Sequence, residues 1–156
     1  MLEKGNSIPG YIDLQVNGIK GIDFSGEDFS VDGFIFSCEE LARNGTIGFL
    51  PTIITAPKSL LIKNIAVIRK ANRYEIARKM VLGFHLEGPF ISRKDGARGA
   101  HNSAHVRDSD TSWLDEVCKA SSGTIKIITV SAEQENINDF ILSARTNGMY
   151  MSLGHH

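Results

Sequence analysis

Two short stretches of the sequence carry side chains that could bind a metal ion. HLEGPFIS (residues 85–92) places Glu87 between an apolar run and a Gly-Pro pair, and SLGHH (residues 152–156) contains His155. A carboxylate and a neutral imidazole are ordinary ligands for zinc and other divalent ions. If both stretches end parallel strands of one sheet, Glu87 and His155 can approach each other at one edge of that sheet.

Each of these residues also has a structural interpretation. A glutamate before Gly-Pro is typical of turns and capping positions, and a final His-His pair is typical of the remnant of an affinity tag. Gln15 and Asn17 could close a strand through hydrogen bonds between side chain and backbone. Taken singly, none of these signals identifies a site, so the assignment depends on the elements that position the residues.

The sequence alternates between strand-like and helix-like patterns. Short apolar, β-branched runs predict strands at residues 11–16, 46–55, 80–86, 124–131 and 149–153. Apolar residues at helical spacing between the runs predict helices with these buried faces: Phe34, Cys38, Leu41 and Ala42; Leu61, Ile65 and Ile68; Trp113, Leu114, Val117 and Cys118; Ile137, Phe140, Ile141 and Ala144.

Capping residues support these helices. Gly45 and Gly148 follow the first and last helical patterns, as glycines at helix ends do. The side chain of Asn136 is predicted to cap the last helix, and that of either Ser109 or Asp110 to cap the third. The order β-α-β-α-β-loop-α-β-α-β is typical of a parallel α/β sheet flanked by helices. Because the strands are apolar on both faces, we expect both sides of the sheet to be covered.

Two parallel architectures fit this order, an open doubly wound sheet and a β/α barrel. No G-x-G-x-x-G motif follows the first strand, which disfavours a dinucleotide-binding sheet. In a barrel the chemistry lies where the strands end, and the polar residues of this sequence cluster at those positions. Alternation along a strand places Gln15 and Asn17 on one face, and His85 and Glu87 on one face of another strand.

The composition excludes several classes of partner. The sequence has 17 basic and 18 acidic residues, a net charge of -1 and no charged block, so we expect no nucleic-acid or membrane partner. No apolar run reaches about 18 residues. The stretch MLEKGNSIPG lacks the apolar core of a signal peptide, and we expect a cytoplasmic location. Cys38 and Cys118 are expected to be reduced and packed.

Taken together, PGYIDLQVNG, HLEGPFIS, GARGAHN and SLGHH resemble the N-acetylglucosamine-6-phosphate deacetylase family of the amidohydrolase superfamily. The motifs follow the family's order from Ile8 to His155, and HLEGPF followed by GAH is the most distinctive part. The resemblance implies that residues 1–156 form one incomplete domain, a partial TIM-type (β/α) barrel of about the first five βα units. The family's last strands and small flanking β-domain have no counterpart in this sequence.

The resemblance also implies roles for individual residues. Glu87 and His155 match two ligands of a single divalent metal ion, with zinc as the expected ion, and Ala100 and His101 match a stretch that contacts the amino sugar. The implied third ligand, a second histidine, and the general base, an aspartate on a late strand, have no counterpart here. We therefore expect no catalytic residue in this sequence.

Gln15 and Asn17 occupy the positions at which many amidohydrolases carry a His-x-His pair for a second metal ion. Amides are poor ligands for a transition metal beside imidazole. We therefore expect the second-metal position to be lost and the site to be mononuclear.

The implied activity is hydrolysis of the acetamide of N-acetylglucosamine 6-phosphate to glucosamine 6-phosphate and acetate in amino-sugar catabolism. We expect the isolated chain to lack this activity and to bind metal weakly, because His155 is the penultimate residue and chain ends fray. The unpaired edges of a partial barrel predict a homo-oligomer or other association. Two alternatives stay open: a non-catalytic barrel remnant, and a deacetylase for a related sugar such as N-acetylgalactosamine 6-phosphate.

Overall fold

The computed structural model describes residues 9–156 and contains a parallel sheet that curls into a half barrel. In chain order the strands are β1 (Tyr11–Val16), β2 (Gly18–Ile19), β3 (Ile22–Asp23), β4 (Thr46–Ile54), β5 (Phe84–Glu87), β6 (Ile125–Val130) and β7 (Tyr150–Leu153). The main sheet has the order β1-β4-β5-β6-β7, and each neighbouring pair is parallel. The short strands β2 and β3 form a separate antiparallel pair.

The helices are α1 (Val31–Arg43), α2 (Lys58–Ala71), α3 (Glu75–Met80), α4 (Thr111–Ser121) and α5 (Ile137–Thr146). Two of them begin at a residue whose side chain accepts a backbone hydrogen bond, which satisfies one of the free N–H groups of the first turn. Ser30 accepts from Gly33 N at 3.2 Å, and Asp110 accepts from Trp113 N at 3.0 Å. Between Ser109 and Asp110, the two candidates for this cap, the structure selects Asp110.

The hydrophobic core lies between the helices and one face of the sheet. Alternate strand residues such as Phe49, Ile53 and Leu86 are buried there against apolar side chains of the helices. The ring of Phe49 packs 6.0 Å from that of Phe34 on α1. Each buried side chain of this size contributes roughly 1.5–3 kcal/mol, so this face fixes the alternation of each strand. The intervening residues of β5, His85 and Glu87, therefore point to the opposite face.

Four expectations from the sequence differ from the structure. Strand β5 begins at Phe84 rather than at residue 80, because α3 extends to Met80 and Gly83 adopts a φ of 147°. Val81 makes only an isolated bridge to Phe49. Ala42, predicted on the buried face of α1, is exposed. Asn136 precedes α5 but makes no side-chain cap hydrogen bond.

The fourth difference concerns the cover of the sheet. The prediction that both sides are covered is wrong, since Tyr11, Ile12 and Tyr150 are exposed on the edge strands. The face opposite the helices lines the concave side of the half barrel, which is open at its edge strands β1 and β7.

Both cysteines are free and buried, as the sequence predicts. Burial raises the pKa of the Cys38 thiol to about 12 and that of Cys118 to about 11. Both thiols are therefore neutral near pH 7, which makes them poor nucleophiles and poor metal ligands. Among residues 9–156, no helix combines the length and the apolar character that crossing a lipid bilayer requires.

Candidate metal site

The side chains that could bind a metal ion meet at the carboxyl end of the parallel sheet. Glu87 is the last residue of β5, and His155 follows the end of β7 by two residues. Because β5, β6 and β7 are parallel neighbours, their carboxyl ends lie along one edge. His101 reaches the same edge from the loop between β5 and α4. Within the described residues, Glu87, His101 and His155 form the one group whose potential ligand atoms all lie within 4.8 Å of one another.

The carboxylate of Glu87 is the centre of this group, and Glu87 as a whole residue is 9% exposed. Its Oε1 lies 3.0 Å from His155 Nε2 and 3.9 Å from His101 Nε2. Its Oε2 accepts a hydrogen bond of 3.1 Å from Asn17 Nδ2. The amide of Asn17 thus occupies one carboxylate oxygen and leaves the other to face the two imidazoles.

His155 is held by both its backbone and its ring. Its carbonyl accepts from Ser92 N at 2.9 Å, and its Nδ1 lies 3.1 Å from the carbonyl of Ala97. The preceding residue, Gly154, donates its N–H to Val130 at 3.1 Å. The expectation that this residue would fray therefore differs from the structure, in which loop and strand contacts fix the ring.

The contacts of His155 imply a positive charge beside Glu87. A neutral imidazole has one N–H donor and one lone-pair acceptor. The Ala97 carbonyl can only accept, so Nδ1 carries a proton and the Nε2 lone pair of a neutral ring points at Glu87 Oε1. Two acceptors at 3.0 Å repel each other unless a proton or a metal cation lies between them. The same pair of atoms is thus a suitable donor set for a divalent ion.

The environment keeps Glu87 ionised. The neighbouring His101 ring, the hydrogen bond to His155 and the amide of Asn17 lower the pKa of the Glu87 carboxyl to about 2, although burial opposes them. A metal ligand must be deprotonated, and Glu87 meets that condition at any pH near neutrality.

His85 has a structural role in this structure. Its Nδ1 donates to the carbonyl of Leu14 at 3.0 Å, and its Nε2 accepts from the hydroxyl of Thr129 at 2.8 Å. Burial lowers the pKa of His85, so the ring stays neutral and links β1, β5 and β6. Both nitrogens are occupied, and His85 is not part of the cluster around Glu87.

The other predicted residues divide into two groups. Asn17 and His101 lie in the cluster, whereas Gln15 is exposed and Ala100 is exposed on the loop. A bulge between Asp13 and Val16 interrupts the pairing of β1 with β4 before the strand reaches Asn17. Within residues 9–156, the side chain of Gln15 makes no hydrogen bond, so Asn17 alone of the amide pair contacts the site.

Two features of the site were missed by sequence reasoning. The amide of Asn17 donates to Glu87, and the hydroxyl of Thr55 lies within hydrogen-bond distance of His101. Asn17 could have been found because it directly follows β1, whose carboxyl end lies at the same edge of the parallel sheet as the carboxyl end of β5. The contact of Thr55 depends on the path of the 88–110 loop, for which the sequence carries no periodic signal.

Comparison with known proteins tests the resemblance to the deacetylase family. No protein-family model matches the sequence. The N-acetylglucosamine-6-phosphate deacetylase of Bos taurus is 34% identical over 150 residues, which cover 94% of this chain and 36% of that protein. The same enzyme of Haemophilus influenzae is 31% identical over 158 residues, covering 99% of this chain and 39% of that protein. The chain therefore spans less than half of the length of these relatives.

Solved structures give a matching result. The N-acetylglucosamine-6-phosphate deacetylase of Pasteurella multocida superposes with a TM-score of 0.77 at 32% identity, over 94% of this chain and 37% of that one. A point mutant of the Mycobacterium smegmatis deacetylase, in complex with N-acetyl-D-glucosamine-6-phosphate, gives a TM-score of 0.80 at 25% identity and covers 95% of this chain. The resemblance read from the four motifs is thus confirmed over nearly the whole chain.

Proposed function

We propose that this chain contributes the metal-binding strands of an N-acetylglucosamine-6-phosphate deacetylase, built on an amidohydrolase-type β/α barrel of which residues 1–156 form an incomplete domain. One observation carries the proposal: His155 Nε2 faces Glu87 Oε1 at 3.0 Å while Nδ1 is already bonded to Ala97. The similarity to deacetylases over 94% to 99% of the chain supplies the reaction class.

Glu87 and His155 would hold one divalent ion, and zinc fits this combination of a carboxylate oxygen and an imidazole nitrogen best. When bound, such an ion lowers the pKa of a water molecule and polarises the carbonyl of the acetamide. The protein's own residues prepare this site. Glu87 is ionised, Asn17 orients its carboxylate, and the Ala97 carbonyl fixes the ring of His155 with Nε2 toward the centre.

The substrate would approach from the open face of the half barrel, where Ala100 and His101 lie on the loop beside the metal ligands. His101 Nε2 faces the same space as Glu87 Oε1, at 3.9 Å. Within residues 9–156, the cluster around Glu87 contains no aspartate that would act as general base. We propose that the base and a further metal histidine come from a barrel segment that this sequence does not contain.

The edges of the half barrel are proposed to associate, either with the missing strands or with another copy of the chain. Tyr11 and Ile12 on β1 and Tyr150 on β7 expose apolar surface, and edge strands with unpaired backbone groups readily pair. A cytoplasmic location is proposed as well, since two free thiols are typical of a reducing compartment.

A chimera tests the proposed function. Residues 9–156 replace the corresponding stretch of the Haemophilus influenzae relative, to which this chain is 31% identical. We expect the zinc-loaded chimera to release acetate from N-acetylglucosamine 6-phosphate, and we expect Glu87→Gln to abolish the release. Glu116→Gln, on the exposed surface of α4, is the matched control and should leave the rate unchanged. A folded, zinc-loaded chimera without deacetylase activity would contradict the proposal.

A further inference from the structure

Thr55 lies directly behind the site and has no assigned role. It follows the last residue of β4, is 4% exposed, and its Oγ1 lies 2.8 Å from Nδ1 of His101, which is itself 4% exposed. His101 belongs to a loop of turns, whereas Thr55 is attached to a central strand. Side chains that are bonded to a rigid element hold their geometry better than side chains on loops.

The position of the Thr55 proton follows from the distances. A hydroxyl has a single proton to donate, and the two acceptors near Oγ1 are His101 Nδ1 at 2.8 Å and the carbonyl of Glu87 at 3.5 Å. Hydrogen bonds from hydroxyl groups span about 2.5–3.0 Å. The Glu87 carbonyl lies at the far limit of hydrogen bonding, so the distances favour a hydroxyl that donates to Nδ1 over one that accepts from it. A neutral His101 ring then carries its own proton on Nε2, the nitrogen that faces Glu87 and His155.

Resting on the function proposed above, we propose that Thr55 is a positioning residue that presents His101 to the metal site as an N–H donor and thereby excludes it from being a third metal ligand. A metal ligand needs a free lone pair, and on His101 the hydroxyl of Thr55 already occupies that lone pair. The N–H on Nε2 points instead to the space beside Glu87 Oε1, where an acceptor such as an amide carbonyl oxygen would receive it.

The backbone around Thr55 is shaped to admit this hydroxyl. Gly88 adopts a φ of 80°, and a Cβ at that position would come within 2.3 Å of Thr55 Oγ1. Glycine at residue 88 therefore leaves the space in which the hydroxyl reaches the ring. The contact between Thr55 and His101 is thus built by two separate parts of the chain, the end of β4 and the turn after β5.

The test is the tautomer of His101 in the full chain. Protein with ¹⁵N-labelled histidine is studied by NMR at a pH of about 8, above the ordinary histidine pKa of about 6.5, and His101→Gln identifies the signals of His101. We expect the Nε2–H tautomer in the unsubstituted protein and in Thr55→Ser, which retains the hydroxyl. We expect Thr55→Val to lose this preference, with signals of both tautomers. An Nδ1–H tautomer in the unsubstituted protein, or an unchanged tautomer in Thr55→Val, would overturn the proposal.

A measurement of zinc affinity distinguishes a failure of this proposal from a failure of the proposed function. If His101 were a metal ligand, Thr55 would be its outer-shell partner, and its loss would lower zinc affinity roughly 10–100-fold. Because the proposal makes His101 a donor and not a ligand, we expect Thr55→Val to bind zinc no more weakly than the unsubstituted protein does, and a decrease within that range would refute the donor role. Failure of the unsubstituted chain to bind zinc would instead contradict the metal site, while the tautomer measurement would still test Thr55. Thr55→Ser should bind zinc as the unsubstituted protein does.

Discussion

At the scale of single residues, the hydrogen bond from Asn17 separates the two oxygens of Glu87. Oε2 accepts from the amide at 3.1 Å, and Oε1 faces His155 at 3.0 Å. The carboxylate is therefore arranged to offer one oxygen to a metal ion. An amide at this position has a structural function, which explains why Asn17 is useful here without being a ligand.

Replacing Asn17 tests this role. Asn17→Ala frees Oε2 and lets the carboxylate rotate, and loss of such an outer-shell partner typically lowers metal affinity roughly 10–100-fold. Gln15→Ala is the control. Gln15 lies two residues before Asn17 and its side chain is exposed, so this change should leave zinc affinity unchanged. Competition with a chelating dye measures the zinc affinity of both variants. Equal affinities of the two variants would show that Asn17 does not orient Glu87.

The lowered pKa of Glu87 predicts a dependence of stability on pH. The pKa falls from 4.5 to about 2 on folding, so ionised Glu87 stabilises the fold fully above pH 4.5. This contribution decreases as the pH falls below 4.5 and is lost below about 2. We expect the metal-free protein to lose more unfolding free energy over this range than Glu87→Gln does. Urea unfolding at a series of pH values measures the difference, and parallel curves for the two proteins would refute the assignment.

At the scale of elements, the strand pattern was the most predictable part of the fold. The strands were predicted from short apolar, β-branched runs, and residues of those runs such as Phe49, Ile53, Leu86 and Ile128 are buried in the core. The start of β5 was missed because Met80 to Gly83 are apolar without being a strand. There the backbone turns at Gly83 to bring Phe84 into the sheet.

The site itself was partly predictable from the order of the strands. Glu87 ends β5 and His155 follows β7 by two residues, so their position at one edge of the sheet follows from the parallel order of the strands. The loop residue His101 was recognised only through a resemblance, and its contact with Thr55 was not recognised. Such a contact depends on tertiary packing of an irregular segment, which leaves no periodic pattern in the sequence.

The turn after β5 gives a matched pair of glycine substitutions. Gly88 and Gly96 have similar positive φ values, 80° and 87°, but a Cβ meets Thr55 Oγ1 only at residue 88, while nothing lies within 4 Å at residue 96. Both alanine variants carry the backbone strain of about 1–2 kcal/mol. We expect Gly88→Ala to lose roughly 1–3 kcal/mol of unfolding free energy beyond Gly96→Ala, as overpacked sites do. Urea denaturation measures both, and equal losses would contradict the packing described here.

At the scale of the whole molecule, the open half barrel is the dominant feature. Five parallel strands leave two edges, and apolar side chains on β1 and β7 are exposed beside them. The sequence predicted these edges from the number of strands. The expectation of a sheet covered on both sides came from the apolar residues on both faces of the strands, which are typical of an enclosed sheet.

Exposed edges should drive association. Ile12→Lys places a charge on the edge strand β1, and edge charges oppose pairing with another chain. We expect sedimentation velocity to show concentration-dependent association of the unsubstituted chain and less of it for Ile12→Lys. Phe36→Lys, which changes an exposed aromatic residue on α1 away from the edge strands, is the control and should associate like the unsubstituted chain. A monomer at all concentrations would contradict this account of the edges.

The most direct test of the central claim is to locate the metal ion. Crystals of the chain grown with zinc, measured on both sides of the zinc absorption edge, give an anomalous difference map that identifies the ion independently of any assumed ligand. We predict a single strong peak between Glu87 Oε1 and His155 Nε2, with His101 Nε2 outside bonding distance. A peak elsewhere in the molecule, or no peak at this pair in zinc-saturated crystals, would contradict the account.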